Sequence, residues 1–158
     1  MKTQIITTLL ALSLGFNFSA RAAGDHMHEH AKTGPTGGKL ITAVEPHVEF
    51  LVTKDKKVEL RFVNDDNKVV APAAQVISVT LGERSAPTKL AFTKDGNKLV
   101  SDKVIPAGTE LPTVVQIREK EGAKAINAKF NLNLNKCPTC SNPEYACTCA
   151  HTHEDEKK

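Results

Sequence analysis

The chain predicts an all-β fold of two antiparallel sheets packed face to face. Apolar and polar residues alternate with a two-residue period through its middle, and turn-forming residues recur between the alternating runs. No stretch of that middle region sustains the longer apolar period of an amphipathic helix.

Val48, Phe50 and Val52 alternate with His47, Glu49 and Leu51, so the first set points inward and the second outward. Lys54-Asp55-Lys56 reads as a turn. Val58, Leu60 and Phe62 then alternate with Lys57, Glu59 and Arg61, completing a hairpin. Ile77, Val79 and Leu81 repeat the pattern, with Ser78 and Thr80 facing away. Leu90 and Phe92 lead into Lys94-Asp95-Gly96-Asn97, a hairpin signal because glycine tolerates the positive φ of tight turns. Leu99 and Val100 return along the partner strand, and Val115 and Ile117 mark another. The last run sets Ile126, Ala128, Phe130, Leu132 and Leu134 against Asn127, Lys129, Asn131 and Asn133. About eight strands over roughly 100 residues predict a β-sandwich, immunoglobulin-like in form, with a small barrel as the alternative closure. Phe50, Phe62, Phe92 and Phe130 all fall on the inward phase. Each is worth about 2–3 kcal/mol when fully buried.

The ends differ in composition from this body. Met1-Lys2 supplies a positive start, Ile5 to Phe18 is mostly apolar, and Ala20-Arg21-Ala22 places small residues where a signal peptidase reads them. Residues 1–22 are therefore read as a signal peptide cut before Ala23, the alternative being an uncleaved anchor. The apolar run of roughly 14 residues is short for a membrane span of about 20. Residues 23–38 form a His-rich flexible segment, 39–135 the sandwich domain and 136–158 a Cys/His-rich tail. The expected location is periplasmic or extracellular, with no membrane insertion after signal removal. Without Lys2 and Arg21 the formal charge falls from +3 to about +1, too little to point to nucleic acid as a partner.

The chemistry of the chain is concentrated at its ends. All four cysteines, Cys137, Cys140, Cys147 and Cys149, lie in the C-terminal stretch, followed by His151 and His153. His26, His28 and His30 alternate near the start, beside Asp25, Met27 and Glu29. Thiolate sulfur and neutral imidazole are preferred ligands of copper and zinc ions. Pro138 and Pro143 disfavour a helix in the tail, and Asn142-Pro143 predicts a turn that brings the two cysteine pairs together. Four sulfurs joined by a turn can surround one ion.

Export into an oxidising compartment makes disulfides the competing outcome, most easily as cross pairs between the two doublets. A thiol-disulfide redox role is the third reading, disfavoured because no helix follows Cys137-Pro138-Thr139-Cys140. In an extended chain, alternate histidines project to one side about 7 Å apart and can curl around one ion. A solvated polar leader is the plainer alternative for them. Cleavage before Gly24 would instead expose Gly24-Asp25-His26, a square-planar Cu(II) or Ni(II) site. His47, alone on an outward strand phase, reads as a surface residue. The serines and carboxylates form no nucleophile or acid-base constellation, so no enzyme is expected.

Gly34-Pro35-Thr36-Gly37-Gly38-Lys39-Leu40, followed by the strand from His47 to Thr53, resembles the Gly-Pro-His-Gly-Gly-x-Leu opening of small domains in heavy-metal efflux adaptors of the membrane-fusion type. Similar stand-alone exported domains occur beside copper and other cation transport systems. The resemblance spans residues 34–134 and implies an envelope setting beside metal efflux. The opening's typical histidine is Thr36 here, so the ligand position it implies is not filled. The helical hairpin and barrel of a complete adaptor are also absent.

The sequence thus points to an exported protein that binds, buffers or carries copper or zinc, handing it to an efflux transporter or adaptor. The alternative is a non-catalytic accessory interaction domain of an efflux system with a disulfide-stapled tail.

Overall fold

Alternation in the sequence becomes strand in the computed structural model, which describes residues 32–149. Eleven segments run in order: β1 (Lys32–Thr33), β2 (Lys39–Ile41), β3 (His47–Val52), β4 (Val58–Val63), β5 (Val69–Val70), β6 (Val76–Leu81), β7 (Thr88–Leu90), β8 (Phe92–Asp95), β9 (Lys98–Ser101), β10 (Glu110–Arg118) and β11 (Ile126–Asn133). A 3₁₀ helix, Glu144–Ala146, follows them. One sheet has the order β1-β2-β3-β4-β9-β8, with β5 also on β4; the other has β11-β10-β6-β7. Every pairing is antiparallel. Among the described residues no helix is long and apolar enough to cross a membrane.

Register turns the alternation into a core. Val48 lies opposite Phe62 and Phe50 opposite Leu60, so the apolar residues of β3 and β4 face the same side. They meet Val79, Leu81, Val115, Ile117 and Leu132 from the second sheet. The rings of Phe50 and Phe130 join the sheets edge to face, with centroids 5.3 Å apart and planes at 81°. Both predicted hairpins are present. Lys56, with φ 60°, closes the β3–β4 turn, and Gly96, also at φ 60°, closes β8–β9.

The expectation of about eight strands undercounts the segments, because β1, β2, β5 and β7 are only two or three residues long. So short a segment cannot display alternation. Val44 and Ile105 join the core from connecting segments, where no periodicity marks them.

Glu49 departs from its expected outward phase. Its position does face away from Phe50, yet it is fully buried, because the Gly34–Gly38 turn folds over it. The backbone N–H groups of Thr36 and Gly38 donate to its Oε1 at 2.8 and 2.9 Å. Its Oε2 is buried without a hydrogen-bond partner among the described residues. The close approach requires glycine. A Cβ on Gly38 would stand 2.5 Å from the Phe50 carbonyl oxygen and 2.9 Å from Glu49 Cγ. Gly38→Ala is therefore expected to cost about 2–3 kcal/mol through backbone displacement, read as a lower urea midpoint with an unchanged slope.

On the same outer face, Glu59 accepts from Lys98 Nζ at 2.6 Å and from Arg61 Nη2. Burial raises the Glu59 carboxyl, but the Lys98 hydrogen bond and the charges of Arg61 and Lys98 outweigh it and hold the carboxyl below its ordinary 4.5. A depressed folded-state value stabilises the fold above the ordinary carboxylate range. That contribution is lost as pH falls through the lowered value. Glu59→Gln is expected to lower stability at neutral pH by about 1–2 kcal/mol and to flatten its decline below about pH 4.5. Urea unfolding at pH 7 and pH 3 checks both.

Candidate metal centre

The C-terminal segment is built onto the sandwich up to Cys149, not held apart from it as a tail. Leaving β11, Leu134 N–H donates to the Thr109 carbonyl at 2.8 Å. Lys136 then forms a bridge with Pro143, closed by Cys137 N–H to the Asn142 carbonyl at 3.0 Å. This is the predicted reversal at Asn142-Pro143, and it folds Cys137 and Cys140 back toward Cys147. Glu144 N–H donates to the Asn135 carbonyl at 2.8 Å, which fixes the start of the 3₁₀ helix.

Tyr145 anchors the segment. The residue is 5% exposed, and its ring packs edge to face on Phe50 at 6.1 Å and 84°. Its hydroxyl oxygen accepts the Val52 N–H at 3.0 Å. Burial raises its phenol above 10.0, the Val52 hydrogen bond opposes this, and the Glu49 charge adds to it. Ala146 is buried beside it, and its carbonyl accepts from the Thr33 hydroxyl at 3.0 Å. A residue on each terminal segment thus meets the other across the edge of the sandwich.

This scaffold brings all four cysteines together, with their Sγ atoms within 4.8 Å of one another. Cys147 Sγ lies 3.3 Å from Cys137 Sγ and 3.6 Å from Cys140 Sγ. Four sulfurs on one zinc ion at the usual Zn–S distance stand about 3.8 Å apart in a tetrahedron. Backbone amides turn toward the sulfurs. Thr139 and Cys140 N–H both donate to Cys137 Sγ at 3.4 Å, and Cys149 N–H donates to Cys147 Sγ at 3.3 Å. Such bonds favour thiolate over thiol.

Cys137 and Cys147 are pushed in opposite directions. Burial raises Cys137, but the Cys140 and Thr139 amides and the neighbouring thiols outweigh it and bring it down to about 6. Burial is also the main influence on Cys147, and there the surrounding sulfurs add to it and push the thiol up. Crowding of potential negative charges thus favours the thiolate at Cys137 and the thiol at Cys147. A divalent cation removes that conflict by neutralising them. Cys137 and Cys147 are buried, whereas Cys140 and Cys149 are half-buried. The cluster therefore has a closed side and a side open to exchange, and it can hold a metal ion.

The predicted histidine ligands His26, His28, His30, His151 and His153 lie outside the described residues, as does the expected signal peptide. His47 has a richer setting than a plain surface residue. Its Nδ1 is 2.9 Å from the Val44 carbonyl oxygen and 3.1 Å from Glu45 Oε1, and its Nε2 is 3.8 Å from Asp65 Oδ1. Glu45 and Asp65 are mostly exposed, and with His47 they form a second group whose ligand atoms lie within 4.8 Å of one another. Sequence reasoning missed Tyr145, Thr33 and Glu49, which position the cysteines and the glycine turn next to them. The one available signal was a lone aromatic inside an otherwise polar cysteine segment. A concavity lined by Thr80, Pro112, Lys129 and Asn131 contains neither cysteine nor histidine.

No known family, curated protein or solved structure matches the chain.

Proposed function

We propose that this chain is an exported metal-binding protein that holds one zinc or copper ion with Cys137, Cys140, Cys147 and Cys149 and buffers or carries it in the cell envelope. The supporting observation is the convergence of four sulfurs from two loops, each loop aiming backbone N–H groups at its own sulfur. Four thiolates in a tetrahedral arrangement suit Zn(II) first and Cu(I) next. The half-buried Cys140 and Cys149 give an acceptor access to the ion, which suits a carrier better than a sealed structural site. The apolar leader and small-residue cleavage site support export, and the Gly-Pro-Thr-Gly-Gly-Lys-Leu opening supports a setting beside metal efflux.

Elemental analysis of the mature protein isolated without oxygen or chelators tests this reading. About one equivalent of zinc or copper is expected, and serine in place of all four cysteines should abolish it. Metal-free protein with no titratable thiols would instead favour the disulfide-stapled accessory domain.

A further inference from the structure

Two of the four sulfurs are within reach of a reagent in solution, and two are covered. Cys140 and Cys149 are half-buried, whereas Cys137 and Cys147 are buried. Cys140 Sγ nevertheless lies 3.6 Å from Cys147 Sγ, an accessible thiol against a covered one. Cys137 is nearer still to Cys147, at 3.3 Å, but neither of those two offers a way in. The backbone holds this arrangement without help from sulfur. Cys137 N–H donates to the Asn142 carbonyl at 3.0 Å, Ala146 N–H to Pro143 at 2.9 Å and Cys147 N–H to Glu144 at 3.1 Å. The Thr33 hydroxyl fixes the Ala146 carbonyl, one residue before Cys147, at 3.0 Å. A disulfide needs its sulfurs about 2.0 Å apart, and four sulfurs on one zinc ion stand about 3.8 Å apart. The Cys140–Cys147 spacing lies between the two, so closing these two side chains on one backbone separates the states.

Resting on the four-cysteine reading, we propose that the centre is a redox-gated store, which a disulfide oxidant empties by joining Cys140 to Cys147 and a thiol reductant restores. The accessible Cys140 thiolate attacks one sulfur of the oxidant R–S–S–R, forms a Cys140–S–S–R mixed disulfide and frees one RS⁻. Cys147 then attacks the Cys140 sulfur, forms the Cys140–Cys147 bond and expels the second RS⁻. The two cysteines lose two electrons and the oxidant gains them. Both RS⁻ groups take protons from solvent. The stored ion keeps its oxidation state and is left with Cys137 and Cys149 alone, half of its ligand set. Other pairings are less favourable. Cys147 with Cys149 closes a tight ring across one residue, and the Cys137 sulfur is engaged by the N–H groups of Thr139 and Cys140. Because the loop hydrogen bonds run between backbone groups, the site is still in place when the disulfide is reduced.

Oxidised glutathione added to the zinc-loaded mature chain is the probe, beside a chromogenic chelator too weak to strip the reduced protein. Zinc should appear at least about tenfold faster with the oxidant than without it, with about one ion freed per disulfide formed. Peptide mapping without reductant should join Cys140 to Cys147, and dithiothreitol should restore zinc binding. In C147S, which lacks the second attacking thiol, a glutathionyl adduct on Cys140 should accumulate. Zinc retained by four reduced cysteines, a bond between any other pair in the wild type, or no adduct at Cys140 in C147S would overturn the proposal while leaving the cysteine site standing. A fully reduced chain that takes up no zinc would sink the four-cysteine reading, and the proposal with it.

Discussion

Replacing Cys147 with serine is expected to weaken metal binding severely and to loosen Tyr145 from the core in the same step. Cys147 occupies the middle of the cluster, with close sulfur contacts to both Cys137 and Cys140, and Cys149 donates its N–H to it. A structural four-ligand zinc site contributes on the order of 10–16 kcal/mol, so losing one thiolate in four should lower affinity roughly a hundred- to a thousandfold. The loss reaches beyond the ion. Holding each residue from Cys137 to Cys149 in place costs about 1–2 kcal/mol of backbone entropy. Burial of the Tyr145 ring returns about 2–3 kcal/mol. Burial of that ring by itself does not offset the ordering cost, and a bound ion is expected to supply much of the remainder. Tyr145 is the chain's one tyrosine, and there is no tryptophan. Its fluorescence reports this docking without added labels. Chelation of the wild type, or the C147S change, should make the emission quenchable by acrylamide. Protection from quenching that persists in metal-free protein would show that packing suffices without the ion.

Truncating Tyr145 itself is the second large effect. Tyr145→Ala removes a ring seated on Phe50 and leaves the Val52 N–H without its acceptor, for an expected cost of about 3–5 kcal/mol in the metal-loaded protein. Tyr145→Phe keeps the ring and removes only the hydroxyl, so it should cost about 1–2 kcal/mol. The gap between the variants separates packing from the hydrogen bond. Far-ultraviolet circular dichroism during urea unfolding measures both, since the fluorophore is lost. Equal costs for the two changes would show that the ring packs too loosely to matter.

Legibility in the sequence followed the range of the cause. β3, β4, β6 and β11 were legible because alternation is set residue by residue and the strands are long enough to display it. The meeting of the cysteine pairs was legible too, since Asn142-Pro143 is a local turn signal acting within the same short segment. Glu49 was not. Its outward phase was read correctly, but its burial comes from a turn more than ten residues earlier folding over it. Tyr145 was hidden for the same reason: nothing in its neighbours marks it as core, and its partners Phe50 and Val52 lie more than ninety residues away.

By itself, the sequence determined the sandwich class, the inward faces of its strands and the four-sulfur cluster, because each rests on short-range spacing. Only the tertiary structure decided that the cysteine segment belongs to the folded body and that Thr33 and Ala146 meet at one edge of it. Those outcomes depend on contacts between residues far apart in the chain, where burial and hydrogen bonding leave no local periodicity to read.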